Sequence, residues 1–205
     1  MDYRKSRNLS WQILIDNKID RLPVDVFKIC ENEKIKLLTY RNSGFLIEDL
    51  NLREHTENND AFSFDRVIVY DDTKPPSRQR FSIAHELGHI LMHIAGGPTV
   101  FNRENGKNSD PIEAEANIFA SRLLSPLCVL QFMDVNSAEE LAELCDIGIS
   151  SALIRFSRLC EMRKRSAEMR REGRHGSFLT SRLERQVYEG FKDYIEEYKR
   201  RKSEK

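Results

Sequence analysis

Two histidines, His85 and His89, are separated by three residues in a segment that the sequence predicts to be helical. We predict one helix over residues 77–94, because two prolines precede it and the run Ala95-Gly-Gly-Pro98 follows it. Side chains four residues apart lie one above the other on the same face of a helix. The fold must therefore contain a site that both imidazole rings face.

Glu86 directly follows the first histidine and completes the pattern H-E-x-x-H. Two imidazoles on one helical face can bind one Zn²⁺, and a glutamate beside the first ligand can reach a water on that metal. We predict His85 and His89 as two ligands of one zinc ion per chain, and Glu86 as the catalytic base. Because two ligands do not make a site, the sequence must supply a third.

A third ligand is available on the next predicted helix, which follows a polar loop over residues 99–110. The run Glu113-Ala-Glu-Ala-Asn117 begins 24 residues after His89 and offers two glutamates as oxygen ligands. On a helix, Glu113 and Asn117 share a face, whereas Glu115 points about 200° away from Glu113. We prefer Glu113 as the ligand and keep Glu115 as the alternative.

This arrangement resembles the thermolysin-like zinc peptidases. In that group the third ligand is a glutamate four residues before an aspartate that holds a ligand histidine in place. The resemblance maps Glu113 to the third ligand and Asn117 to the supporting position.

Two longer blocks, residues 78–93 and 113–126, resemble the ImmA/IrrE family of zinc metallopeptidases. The resemblance implies an α+β fold in which a zincin-like metallopeptidase domain with a small mixed sheet precedes a helix-turn-helix-like module. It also implies cleavage of a cognate transcriptional repressor of a mobile element or a stress regulon, so we expect a co-encoded repressor as the protein substrate. Ser125 departs from the family, in which a larger apolar residue usually precedes the proline.

Two further side chains are candidates for stabilising a transition state. His93 lies one turn beyond His89 on the predicted helix, where it can donate to the substrate or pack beside the site. Tyr70 ends a predicted strand over residues 66–70, and it can donate to the oxyanion or simply pack. A second strand is predicted over residues 35–40. We predict that strand 66–70 is an edge to which an extended substrate adds by main-chain pairing.

Three parts are predicted along the chain: a metallopeptidase domain over residues 1–126, a helical module over 127–162 and a basic helical tail over 163–205. The module has the spacing of a helix-turn-helix, with a turn near Gly148 and a second helix over residues 150–162. The start of that second helix offers few side chains that could read bases. We therefore prefer docking of the repressor, or packing, over DNA binding.

The formal net charge of the chain is zero, but residues 155–205 carry 16 basic and 9 acidic side chains. The tail also has apolar residues at helical spacing from Leu183 to Tyr194, which predicts that it packs on another surface. No stretch has the apolar length of a membrane span, and we expect the protein in the cytoplasm without a membrane partner.

One alternative function belongs to a different class. The chain could be a DNA-binding or toxin–antitoxin-type regulator in which the zinc site is structural or vestigial. Glu86 favours the enzyme, because a structural zinc site has no use for a general base.

Overall fold

The computed structural model describes residues 3–49, 59–93, 111–172 and 179–204. In this part of the chain the helices are α1 (Arg4–Asp16), α2 (Val26–Asn32), α3 (Gly44–Asp49), α4 (Pro76–His93), α5 (Pro111–Leu124), α6 (Leu127–Leu130), α7 (Ala138–Cys145), α8 (Ile149–Arg171), α9 (Arg182–Gly190) and α10 (Lys192–Ser203). The strands are β1 (Lys36–Thr39), β2 (Ala61–Phe64) and β3 (Val67–Tyr70). The chain divides into a first compact unit, residues 1–10 and 25–121, and a second one, residues 11–24 and 122–205.

The described strands form one mixed sheet in the order β1-β3-β2, with β1 parallel and β2 antiparallel to β3. In the part of the chain that the structure describes, helices predominate and the strands form one small mixed sheet, which agrees with the predicted α+β class. The prediction that strand 66–70 is an edge is wrong, because β3 is hydrogen-bonded on both sides. Within the described residues, β2 lies at the edge instead.

The two faces of the sheet are packed differently. Phe62 and Val69 form a buried cluster with Ile47 on one face. Because side chains alternate along a strand, Ser63 and Ile68 lie on the opposite face, and both β2 and β3 contact α4 on that side. This face of the sheet therefore packs against α4, the helix that carries the two histidines.

Helix α2 begins at Val26 because Asp25 caps it, accepting a hydrogen bond from the Lys28 N–H at 3.0 Å. Val26, Ile29 and Cys30 recur at helical spacing and are fully buried, so they form the face by which α2 packs on the core.

In the second unit, α7 and α8 pack against each other across a short turn. Asp146 ends α7 in the left-handed conformation with φ 48°, and Gly148 precedes α8. The predicted end of α8 at Met162 is wrong: the helix continues to Arg171, because no proline or glycine interrupts its run of good helix formers. That these two helices form a helix-turn-helix module remains a prediction.

The tail helices α9 and α10 pack inside the second unit. Val187, Phe191 and Ile195 are buried, and the Tyr194 hydroxyl donates to the Leu22 carbonyl at 3.1 Å. The sequence left open which surface these apolar residues cover. That surface belongs to the same chain.

Ser125 accepts hydrogen bonds from a buried arginine of the second unit. The Nε atom of Arg155 donates to the Ser125 Oγ atom at 2.9 Å, and a terminal nitrogen donates to the Ser125 carbonyl. Burial, followed by the charges of Arg122 and Arg158, lowers the pKa of Arg155 to about 9. The departure from the family at this position thus supplies an acceptor for a buried cation.

Several predictions are not decided by this architecture. The zincin-like character of the first part and the boundaries at residues 126 and 162 remain predictions. The predicted loop over residues 99–110 lies outside the described residues. Among the described helices, none has the length and apolar character needed to cross a membrane.

Candidate metal centre

Helix α4 directs the two histidines to one point. Both side chains are fully buried, and their Nε2 atoms lie 2.9 Å apart. The helix runs unbroken from Pro76 to His93, so the spacing of four residues places the two rings on consecutive turns as expected.

Helix α5 brings a carboxylate to the same point. Pro111 opens the helix, which places Glu113 in its first turn. The Glu113 Oε2 atom lies 3.2 Å from the His85 Nε2 atom, and Oε1 lies 3.0 Å from the His89 Nε2 atom. The three side chains form a group whose possible ligand atoms all lie within 4.8 Å of one another.

Asn117 lies one turn further along α5 and holds His85. The His85 Nδ1 atom donates to the Asn117 Oδ1 atom at 3.0 Å, since an amide oxygen can only accept. In the neutral ring this bond keeps the proton on Nδ1 and leaves a lone pair on Nε2. The lone pair therefore faces the carboxylate of Glu113 and the other imidazole.

This donor set fits a metal ion. Lone pairs on two imidazoles and a carboxylate repel one another at these separations unless a cation lies among them. A tetrahedral zinc ion with bonds of about 2.0–2.1 Å holds its ligand atoms about 3.3 Å apart, which is close to the observed 2.9–3.2 Å. The buried group can thus hold a metal, and nitrogen and carboxylate ligands together suit zinc.

The charge of Glu113 agrees with this role. Burial by itself would raise the pKa of Glu113, but the hydrogen bonds and positive charge that the His85 and His89 rings supply when a proton takes the place of the metal outweigh burial and hold the pKa below the usual range of a glutamate. The carboxylate is therefore ionised, as a metal ligand must be.

Glu115, the alternative ligand, lies elsewhere on α5. Its Oε2 atom is 3.5 Å from the Nε2 atom of His93, at the end of α4. The ring of His93 is in turn 5.8 Å from the ring of His89. His93 and Glu115 thus form a second pair beside the metal group, and whether His93 contacts a substrate remains a prediction.

Glu86 is almost fully buried, with 4% of its surface exposed. Its Oε2 atom accepts a hydrogen bond from the Ser63 hydroxyl of β2 at 2.7 Å. The sequence did not identify Ser63. The one available signal was a small polar residue inside an otherwise apolar strand, Ala61-Phe-Ser-Phe64.

Gly88 allows α4 and α5 to approach closely. A Cβ atom at this position would lie 2.9 Å from the Cδ1 atom of Phe119 and 3.4 Å from the Cα atom of Ala116. This close approach explains why a glycine, a poor helix former, stands inside an otherwise strong helix. This contact sets the distance between the helix of the histidines and the helix of Glu113.

Tyr70 lies in the central strand and packs on Phe27 of α2, with the ring centroids 6.2 Å apart. Burial, followed by the charge of Asp72, raises the pKa of Tyr70. This environment is typical of a packed residue, and a role for Tyr70 toward an oxyanion remains a prediction.

The sequence matches the family model of the IrrE N-terminal-like domain, Peptidase_M78, over residues 43–157. This range is more than half of the chain. It includes each residue placed at the metal group above, from Ser63 on β2 to Asn117 on α5. No curated protein matches the sequence.

Proposed function

Since the chain belongs to the IrrE N-terminal-like domain family, a family of metallopeptidases, we propose that it is a zinc-dependent endopeptidase. One observation carries the proposal: two buried imidazoles and an ionised carboxylate converge within 4.8 Å, directly beside the buried Glu86. Three protein ligands leave a position for water and substrate, as catalytic zinc sites require.

When bound at this site, zinc supplies the Lewis acidity that makes a water nucleophilic near neutral pH and polarises a peptide carbonyl. The protein supplies the proton transfers. Glu86 takes a proton from the attacking water and delivers it to the leaving amine nitrogen. Asn117 keeps the proton of His85 on Nδ1 throughout.

We place the substrate along β2 rather than along strand 66–70. The Asp71 N–H donates to the Asp60 carbonyl, so main-chain groups of Phe62 and Phe64 face β3 in the alternating antiparallel pattern. The main-chain groups of Ala61 and Ser63 then point to the outer side of β2. An extended substrate that pairs there lies along the strand that contacts Glu86.

The proposed substrate is a helix-turn-helix repressor encoded beside this protein, and the proposed location is the cytoplasm. The family resemblance supports a regulatory target. The excess of basic side chains in residues 155–205 favours an acidic surface on the partner.

The alternative, a regulator that binds DNA through α8, has less support. Ile149, Leu153 and Ile154 are each about half exposed or more at the start of that helix. In a helix-turn-helix these positions face the bases, and aliphatic side chains offer no hydrogen bonds to base edges. An apolar start to α8 suits contact with a protein better.

The test is cleavage of the neighbouring repressor by the purified, zinc-loaded protein, followed by mass spectrometry. We expect one or a few defined cuts, which a chelator stops and added zinc restores. An uncut repressor under these conditions would contradict the proposed function.

A further inference from the structure

We propose that Ser63 is the residue that positions the carboxylate of Glu86 for proton transfer. The inference rests on the proposed function, because it concerns the proton-accepting step of the same site. Ser63 and Glu86 belong to different elements, β2 and α4, and are 23 residues apart in the chain.

The first argument is the geometry of the contact. The Ser63 hydroxyl lies 2.7 Å from the Glu86 Oε2 atom, which is an ordinary distance for a hydroxyl that donates a hydrogen bond to a carboxylate oxygen. The bond uses one of the two carboxylate oxygens. It leaves Oε1 to accept the proton of the attacking water.

The second argument is burial. Ser63 has no exposed surface and Glu86 has 4%, so neither group can exchange this bond for one to bulk water. Among the described residues, Ser63 is the one side chain that donates a hydrogen bond to Glu86. A buried carboxylate is costly without a donor, and the hydroxyl reduces that cost while fixing the orientation of the group.

The third argument is the local sequence. Side chains alternate along β2, so Phe62 and Phe64 face the apolar cluster while Ala61 and Ser63 face α4. Alanine and serine are both small enough for a close helix, so small size alone does not require a hydroxyl at residue 63. Serine is also a poor strand former compared with valine or threonine. The hydrogen bond to Glu86 explains its presence.

The placement of Ser63 also aligns the base with the substrate. Its side chain holds Glu86, while its main-chain N–H and carbonyl face the outer side of β2, where we place the extended substrate. Main-chain pairing with Ser63 thus fixes the position of the peptide relative to the Glu86 oxygen that receives the proton.

The experiment compares Ser63→Ala and Ser63→Thr in the full-length, zinc-loaded protein, with the neighbouring repressor as substrate. Losing one charge-assisted hydrogen bond predicts a fall in kcat of about tenfold to a hundredfold for Ser63→Ala. We expect KM and zinc content to stay unchanged, because the hydroxyl touches neither the substrate nor the metal ligands. Ser63→Thr keeps the donor and should restore most of kcat.

A matched control removes a hydroxyl that is buried to the same extent. Ser10 is also fully shielded, and its hydroxyl donates to the main-chain carbonyl of Arg7 within its own helix. Ser10→Ala should leave kcat unchanged. Equal losses in Ser10→Ala and Ser63→Ala would show a general effect of buried hydroxyls and overturn the assignment.

A second measurement does not depend on activity. Urea unfolding of the metal-free protein is compared for Ser63→Ala, Glu86→Ala and the double variant. Each substitution changes the equilibrium constant of unfolding by some factor relative to the wild type. If the hydroxyl holds the carboxylate, the factor for the double variant differs about tenfold from the product of the factors for the two single variants. Independent effects would overturn the proposal, and so would a Ser63→Ala variant that does not fold.

The two measurements separate the possible failures. A coupled pair with an unchanged kcat in Ser63→Ala would make the hydrogen bond purely structural and overturn the positioning role. A wild-type protein that leaves the repressor intact would refute the proposed function. If urea unfolding still showed coupling between Ser63 and Glu86 in that case, Ser63 would be only a structural partner of Glu86.

Discussion

Replacing Gly88 with alanine tests whether the approach of two helices builds the metal site. The new Cβ atom would lie 2.9 Å from Cδ1 and 3.3 Å from Cγ of the Phe119 ring, which is fully buried, and 3.4 Å from the main chain of Ala116. Contacts below 3.0 Å force the ring or the helix to move. Because α5 carries Glu113, this movement shifts the carboxylate relative to the histidines of α4.

Two opposing effects determine the size of the change. Alanine is favoured over glycine inside a helix by about 1 kcal/mol, whereas overpacking a core costs about 1–3 kcal/mol. We therefore expect Gly88→Ala to lower the free energy of unfolding by about 1 kcal/mol. Zinc affinity should fall about tenfold or more, as it does when groups that orient ligands are disturbed.

The assay combines urea unfolding of the metal-free protein with zinc competition against a chromophoric chelator. Gly44→Ala is the control, since a Cβ atom there meets no atom within 4 Å and the residue also lies in a helix. Phe119→Leu added to Gly88→Ala should recover part of the zinc affinity. A Gly88→Ala protein that is more stable than wild type and binds zinc equally well would refute this reasoning.

Two further predictions concern glutamates with different partners. Glu113→Gln should weaken zinc binding by at least about a hundredfold in equilibrium dialysis, because Glu113 lies beside both histidines. Glu115→Gln should change the zinc affinity by less than about threefold, because Glu115 pairs with His93 instead. The reverse order of the two effects would contradict the assignment of Glu113 as the ligand. Glu140 is partly buried, which raises its pKa, but hydrogen bonds from Lys202 and Tyr198 outweigh burial and lower it. A group whose pKa is lowered by folding contributes stability that is present above about pH 4 and is lost in acid. In urea unfolding, Glu140→Gln should therefore lower the free energy of unfolding by about 1–2 kcal/mol at pH 7 and by much less near pH 3. A difference independent of pH would contradict this account.

The two helices of the metal group could be predicted from the sequence because their ends are marked locally. Prolines open both α4 and α5, and the spacing of the histidines fixes which side chains share a face. The preference for Glu113 over Glu115 follows from the same period, and the structure places Glu113 beside both histidines.

The sheet and the contact with Glu86 could not be predicted in the same way. β2 has four residues, and pairing across the sheet decides whether a strand is central or an edge. The bond between Ser63 and Glu86 joins residues 23 positions apart on two elements, so no periodicity in the sequence marks it. Likewise, the continuation of α8 beyond Met162 depends on the absence of a helix breaker rather than on an apolar pattern.

The most direct test of the central claim is cleavage of the neighbouring repressor by the Glu86→Gln variant, with its zinc content measured in the same sample. The amide keeps the shape of the side chain and can still accept a hydrogen bond from Ser63, so the fold and one bound zinc ion per chain should survive. The amide cannot take a proton from water, so the cleavage rate should fall by about a hundredfold to ten-thousandfold. Cleavage at the wild-type rate by a zinc-loaded Gln variant would contradict the assignment of Glu86 as the base.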